Sequence, residues 1–315
     1  MISSSANVQK PSQSALCKFA RRFGRQKYIF VLFIAGFVWY IVFKYYPLWF
    51  ITKAFTNYGT VANARFTGLD NFTRLFASPL FFRAFKNTLL LSLYNLIFYF
   101  PIPIILALSL NEIKSKLFKR VSQFIVYMPH FLSWVVVGGL FNMMLAPSDG
   151  IINKALVSLG IVESPIYFMA STRWFRTVLV GTEIWKNAGY GAVIYIAAIS
   201  SVDGELYDAV AVDGAGYWGR TWHVTLPCIR NTIATVLMLT LSRILQMFEQ
   251  ILVMYNSAVM DVADVLRTFS YVEGLNRGNV GYATAIGLFT SVISMLLIIG
   301  CNWFSKAFLD EEILW

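Results

Sequence analysis

Six apolar stretches, near residues 28–50, 86–111, 121–145, 175–200, 231–255 and 281–305, leave this chain few ways to fold. Each has about the 20 residues an α-helix needs to cross the hydrocarbon of a bilayer. There every backbone N–H and C=O must be satisfied within its own segment. Composition agrees: of 315 residues, 57% are hydrophobic and only 13% charged, against about 25% charged in an ordinary soluble domain. The expectation is an all-α membrane protein with six transmembrane helices in a permease-sized domain, 28–305. Six spans put both ends on one side, and no segment is large enough to hold a soluble enzyme core.

The formal net charge of +10 sets the orientation. In a multi-pass protein such an excess belongs to cytoplasmic Lys and Arg facing anionic lipid, so membrane lipid, not nucleic acid, is the expected surface partner. Residues 1–27 carry Lys10, Lys18, Arg21, Arg22, Arg25 and Lys27 with no acid, and loop 112–120 carries Lys114, Lys116, Lys119 and Arg120. Both are expected in the cytoplasm, and with them both termini, the tails 1–27 and 306–315. Loop 51–85, with Lys53, Arg65, Arg74 and Arg83, makes the bias less one-sided. The Tyr28–Phe43 run resembles a secretory signal, but no small-residue cleavage site follows. Lys44, Tyr45, Tyr46, Pro47 and Trp49 form an interface anchor instead, so the run reads as a retained span. Between the first two spans Phe72, Leu75, Phe76, Phe81 and Phe82 mark an amphipathic piece, to lie at the outer interface or pack on the span ends.

Chemistry of the usual enzymatic kinds is missing. Cys17, Cys228 and Cys301 are far apart, and His130 and His223 are isolated, so neither a disulfide framework nor a metal site is supported. There is no paired carboxylate set, no nucleophile with a base and no GxxxxGK[ST] loop to hold nucleotide. No catalytic residue and no cofactor bound by this chain are expected. Uphill work would draw on another subunit or on an ion gradient.

The most polar break between spans is Glu205–Pro227, ELYDAVAVDGAGYWGRTWHVTLP. Leu206, Ala209 and Val210 fall at i, i+3 and i+4, which predicts a helix starting near Asp203. Gly214 suits the left-handed residue that ends such a helix. Trp218, Thr221 and Trp222 give a second short face before Pro227 interrupts the pattern. A helix-turn-helix between two spans is a handle for something outside the bilayer, and the charge pattern puts this one, within loop 201–230, in the cytoplasm.

The same residues resemble the coupling loop of ABC importer permeases. The match falls on Asp208, Ala209, Val210, Asp213, Gly214, Ala215, Leu226 and Pro227, with Glu205 before it and the aromatic Trp222 eight residues after the glycine. Asp208 stands where that family usually has Glu, and Val210 where it has a second Ala. The segments FKYYPLWF (43–50), GLDNFTRLF (68–76), VYMPHFLSW (126–134), IWKNAGYGAVIYIAAI (184–199) and MFEQILVMYNSAVMDVADVLRTFSYVEGL (247–275) extend the likeness to the type I permeases that import complex carbohydrates. The resemblance implies a type I ABC importer permease bundle with a cytoplasmic coupling helix-turn-helix, in the cell membrane. It implies as partners a second, different permease subunit, two ATPase subunits that bind ATP and Mg2+, an extracellular or periplasmic sugar-binding protein and a carbohydrate substrate.

Polar side chains within spans are costly and usually face a cavity or another helix. Glu183, Asn187 and Tyr190 fall at i, i+4 and i+7 of the fourth stretch, beside Trp185 and Lys186. Arg243, Gln246 and Gln250 fall at i, i+3 and i+7 of the fifth, beside Glu249. Hydrogen-bonding groups with aromatic faces suit a sugar pathway. The same residues also suit helix–helix glue between permease subunits, or an ion pair such as Glu183 with Arg243. A secondary transporter using Glu183 and Glu249 as proton or sodium relays is the alternative function, and it lacks the paired broken-helix repeats of that class.

Overall fold

The computed structural model describes residues 27–59 and 64–309. Of the predicted tails, 1–26 and 310–315 lie outside the described residues, as does Cys17. The chain divides into two units, Met1–Thr52 and Lys53–Trp315. In the first, α1 (Lys27–Tyr40) passes into a π turn, Ile41–Tyr45, and then into a 3-10 segment that runs Tyr46–Phe55. Pro47 explains the change of winding. Proline has no N–H to donate, and its ring clashes with the carbonyl four residues back. The residue before it, Tyr46, instead donates to the carbonyl of Ile41, five residues back, a wider turn that clears the ring.

The second unit absorbs two more prolines in the same way. Its helices α2 (Asp70–Ala77), α3 (Pro79–Tyr94) and α4 (Pro101–Asn111) are followed by α5 (Lys116–Tyr127) and α6 (Trp134–Met144). Next come α7 (Ile151–Ser158), α8 (Phe175–Ser200), α9 (Gly204–Val212), α10 (Tyr217–Arg220) and α11 (Leu226–Arg243). The last are α12 (Glu249–Met254), α13 (Met260–Ala263), α14 (Leu266–Tyr271) and α15 (Val280–Leu309). A π turn at Asn95–Tyr99 lets Phe100 donate to Asn95, so α3 and α4 join across Pro101. Another at Thr221–Thr225 lets Leu226 donate to Thr221 ahead of Pro227. Contrary to the expectation, Pro227 interrupts nothing: a helical path runs from Tyr217 to Gln246.

Four helical stretches among the described residues are long and apolar enough to cross a membrane: Leu32–Phe55, Pro79–Asn111, Tyr217–Gln246 and Val280–Trp303. A fifth joins them if Lys116–Phe131 and Trp134–Met144, bent by 101°, count as one span. The 26-residue α8 is about 39 Å long at 1.5 Å per residue, but Arg176, Glu183, Lys186 and Asn187 make it more polar than these.

Two stretches expected to be continuous are broken. In 121–145, Pro129 lies in a 3-10 turn, Leu132 is extended, and the Ser133 hydroxyl accepts the Val136 N–H to start α6 afresh. In 231–255, α11 ends at Arg243, a 3-10 turn covers Ile244–Gln246, and α12 begins only at Glu249. The Ile244 carbonyl accepts the buried Ser92 hydroxyl from α3 at 2.9 Å, so the bend costs no orphaned acceptor there.

Three buried clusters hold the second unit together. Leu91, Phe175, Leu179, Ile251 and Met254 join α3, α8 and α12. Leu75, Phe81, Leu266, Phe269, Tyr282 and Ile286 join α2, α3, α14 and α15. The amphipathic 72–82 piece therefore packs on the span ends, the second of the two expected arrangements. Ala107, Ala192, Tyr195, Ile199 and Ile229 join α4, α8 and α11, with the small residues that let membrane helices approach closely. The tightest approach is at Gly189 of α8: a Cβ there would lie 2.1 Å from the Val126 carbonyl oxygen of α5.

The DVADV segment is clamped by polar groups. Asn87 of α3 donates to the carbonyls of Asp261 and Asp264, each at 3.0 Å. The Thr268 hydroxyl donates to the Asp264 carboxylate at 2.6 Å, and Arg83 pairs with Asp261. Burial holds the Asp264 carboxyl above its ordinary range, although Thr268, Arg83 and Arg277 oppose that rise.

Candidate functional site

The Glu205–Pro227 hairpin forms from its sequence almost unaided. Asp203 caps α9 by accepting the Glu205 N–H at 3.0 Å. At the other end Gly214 has φ +76°. Ala215 N–H donates to Val210 and Gly214 N–H to Ala211, both at 3.1 Å. Those two bonds satisfy carbonyls that the end of a helix leaves free, and they require the left-handed residue between them. The chain then reverses into α10. Tyr207 on α9 and Thr225 in the π turn share a hydroxyl hydrogen bond of 3.1 Å that ties the two halves together.

What the hairpin exposes matters more than what it buries. Val212 is 88% exposed, Trp218 69% and Trp222 62%, with Leu206 also exposed. Glu205, Asp208, Ala209, Asp213, Gly214 and Pro227 are exposed, and Val210, Ala215 and Leu226 are half-buried. The Leu206/Ala209/Val210 stripe is thus not core of this chain. Exposed apolar patches rimmed by polar groups are a general mark of interaction sites.

The second feature is a cleft of about 610 Å3. Of the residues predicted for a pathway, Glu183, Asn187, Arg243, Gln246, Glu249 and Gln250 line it. Because the helix breaks after Arg243, the last four do not form a single helical stripe. Trp185 and Tyr190 are elsewhere: Trp185 meets Phe141 edge-on at 5.4 Å, and Tyr190 stacks on His130 at 3.9 Å. Asn95, Tyr99, Trp134, Thr240, Ile244, Met247, Phe248 and Arg267 complete the lining. Asn95 and Tyr99, at i and i+4 of one apolar stretch, were detectable by the spacing argument that found Glu183 and Asn187. Trp134 and Arg267 carry no such local signal.

Several of these polar groups are already engaged. Asn187 donates to the Glu183 carboxylate at 2.7 Å, and its oxygen lies 2.9 Å from His130 Nδ1. An amide oxygen only accepts, so the imidazole proton is on Nδ1 in that bond. Lys186 donates to the His130 carbonyl at 2.7 Å, so His130 is a packed hinge residue between α5 and α6. Glu183 makes no ion pair with Arg243 among the described residues. Gln250, although at the cleft wall, is buried and donates to Leu179 and Thr182 of α8 at 2.7 and 2.8 Å. It ties α12 to α8 within this chain. Gln246, by contrast, is exposed, and among the described residues its side chain bonds only to Ser242 on its own turn.

This difference predicts two separable phenotypes. Gln250→Ala is expected to destabilise the protein by about 1–3 kcal/mol, since it leaves a buried carbonyl and hydroxyl short of a donor. Gln246→Ala is expected to leave the melting temperature unchanged and to lower solute uptake. Thermal unfolding in detergent and vesicle uptake measure the two.

Apolar helices around a polar cleft, with an exposed helical hairpin joining two of them, are the arrangement of a membrane transport subunit. Residues 99–309 match the family model of the binding-protein-dependent transport system inner membrane component, and the chain belongs to that family. It is 40% identical to LplB of Bacillus subtilis (strain 168), over 91% of each chain. It is 38% identical to the polygalacturonan/rhamnogalacturonan transport system permease protein YteP of the same strain, over 92% of this chain and 91% of YteP. A chain of a bacterial ABC transporter involved in the import of the acidic polysaccharide alginate matches with a TM-score of 0.85 at 37% identity, covering 92% of this chain and 99% of that one. The bacterial alginate ABC transporter in complex with an alginate pentasaccharide-bound periplasmic protein gives 0.84 at 37%, covering 91% and 96%.

The fold is accordingly that of a type I ABC importer permease. The protein is an inner-membrane permease subunit and not an enzyme; ATP hydrolysis belongs to a separate subunit. It works with a second permease, with ATPases and with a binding protein. The ion-coupled secondary transporter is thereby set aside.

Proposed function

We propose that this permease translocates an oligosaccharide or polysaccharide handed over by its binding protein, and that the 205–227 hairpin is the cytoplasmic handle through which the ATPase drives it. The observation that carries the reading is the pairing of a roomy, mixed polar and aromatic cleft with relatives named for acidic polysaccharides. Sugars are held by convergent hydrogen-bond groups and aromatic faces. The cleft offers Asn187, Arg243, Gln246, Glu249 and Arg267 beside Tyr99, Trp134 and Phe248.

In this reading α8 is a further span, and six spans in all leave both termini in the cytoplasm. ATP and Mg2+ are bound by the partner ATPase alone. Closure of the ATPases moves the hairpin as a rigid body and rocks the attached spans between inward-facing and outward-facing states.

The hairpin's part is tested at Gly214. No neighbouring atom lies within 4 Å of a Cβ built there, so a substitution meets only backbone strain, of about 1–2 kcal/mol. The Gly214→Val complex is expected to assemble and yet hydrolyse ATP with reduced uptake per ATP. Full coupling in the assembled variant would rule out the lever. The cargo is tested with proteoliposomes holding the whole importer, ATP and binding protein loaded from a glycan panel. Stimulation of ATP hydrolysis by no loaded glycan would refute a carbohydrate substrate.

A further inference from the structure

A second hollow, of about 520 Å3, lies on a different stripe of α8 from the cleft. Thr177, Val180, Gly181 and Ile184, at i, i+3, i+4 and i+7, form one of its walls, and Tyr94 and Phe98 add aromatic rings. Towards the N-terminal end of α8 the lining changes to Thr172, Arg173 and Arg176. One end of the groove is therefore cationic and hydroxylated, and the rest is apolar.

Among the described residues the cations have no counter-charge. Arg176 is half-buried, and its guanidinium donates to the Val262 carbonyl at 3.2 Å and to the Asn87 side-chain oxygen at 2.7 Å, both neutral acceptors. Arg173 lies over the Trp174 ring, 5.8 Å from its centre. Among the described residues neither arginine is paired with a carboxylate. A half-buried cation with only neutral partners favours an anion beside it. A largely apolar wall of about two helical turns next to that anion has no use for a free phosphate, and it suits a molecule with a hydrocarbon tail.

We propose that this groove is a binding site for one anionic phospholipid, its phosphate held between Arg173 and Arg176 and an acyl chain laid against Phe98, Val180, Gly181 and Ile184. Placing the head group at this end of α8 rests on reading that helix as a span. Charge order sets the choice of occupant. A partner helix would have to bring an acid to the level of the arginines and a smooth apolar face below it, whereas every anionic phospholipid has that arrangement.

The test uses the whole importer, extracted from membranes of phosphatidylethanolamine and phosphatidylglycerol, with bound lipid counted by native mass spectrometry. Arg173→Gln removes a charge that makes no ion pair among the described residues, and phosphatidylglycerol occupancy is expected to fall about fivefold, the worth of one basic residue at an anionic lipid surface. Gly181→Phe has open space around its new Cβ and fills the groove without touching either arginine. It is expected to displace the lipid while assembly and melting temperature hold. Unchanged phosphatidylglycerol in both variants would overturn the proposal. So would loss of the second permease from Gly181→Phe with lipid content unaltered, since the groove would then be a protein interface.

Discussion

A chain carrying Val212→Asp and Trp218→Asp is expected to reach the membrane and bind the second permease, yet to lose its ATPase subunits. Both side chains are mostly in solvent, 88% and 69% exposed, so neither substitution opens a cavity, and surface changes of this kind shift stability by no more than about 0.5 kcal/mol. Their effect falls on whatever covers them. Aromatic anchors at the centre of an interface contribute about 2 kcal/mol or more each. Two buried aspartates in place of apolar contacts would weaken docking on the order of a thousandfold. Co-purification of the ATPase with the permease measures this directly, with ATP hydrolysis as the second readout. Stoichiometric ATPase on the double variant would take the hairpin out of the drive train.

The second large effect is expected at Gly189, where valine should prevent the bundle from packing. The obstruction is backbone: the new Cβ would sit 2.1 Å from the Val126 carbonyl oxygen and 2.6 Å from its carbon. A flexible side chain can step aside from such a clash, but a helix backbone must move as a whole and take α5 away from α8. Overpacking a core costs about 1–3 kcal/mol and occasionally more, and an immovable neighbour puts Gly189 at the upper end. Gly287→Val, on α15 with nothing within 4 Å of the new Cβ, is the matched control. Fluorescence-detected size exclusion should show a folded peak for the control and little for Gly189→Val. Equal peaks would mean that α5 and α8 do not meet at Val126.

Much of the hairpin was legible because its determinants are local. Asp203 as cap, the apolar stripe that follows and the left-handed Gly214 lie within a dozen residues, and each acts through the backbone beside it. Pro227 misled for a related reason. Proline in a helix is read as a break, but a π turn one residue upstream removes the clash, and nothing in TWHVT announces that turn. The cleft was legible only in part. Spacing along one helix found Glu183 and Asn187, whose positions depend on α8 alone. It gave no sign that the Gln250 amide is tied to α8, because whether a polar side chain faces water or a neighbouring carbonyl depends here on a residue 71 positions away.

Local residue patterns suffice to make this chain a helical membrane protein with a polar hairpin between spans. Hydrocarbon admits little besides helices of apolar residues, and caps and glycine turns are short-range. Where the helices break and which polar groups stay free depends on contacts across the bundle. The bends after Arg243 and at Leu132 are held by bonds from Ser92 and by packing of α5 and α6 against α8, contacts between residues far apart in the chain. In a bilayer the polar groups freed at such a bend need partners from elsewhere in the protein, and those partners exist only once the bundle has closed.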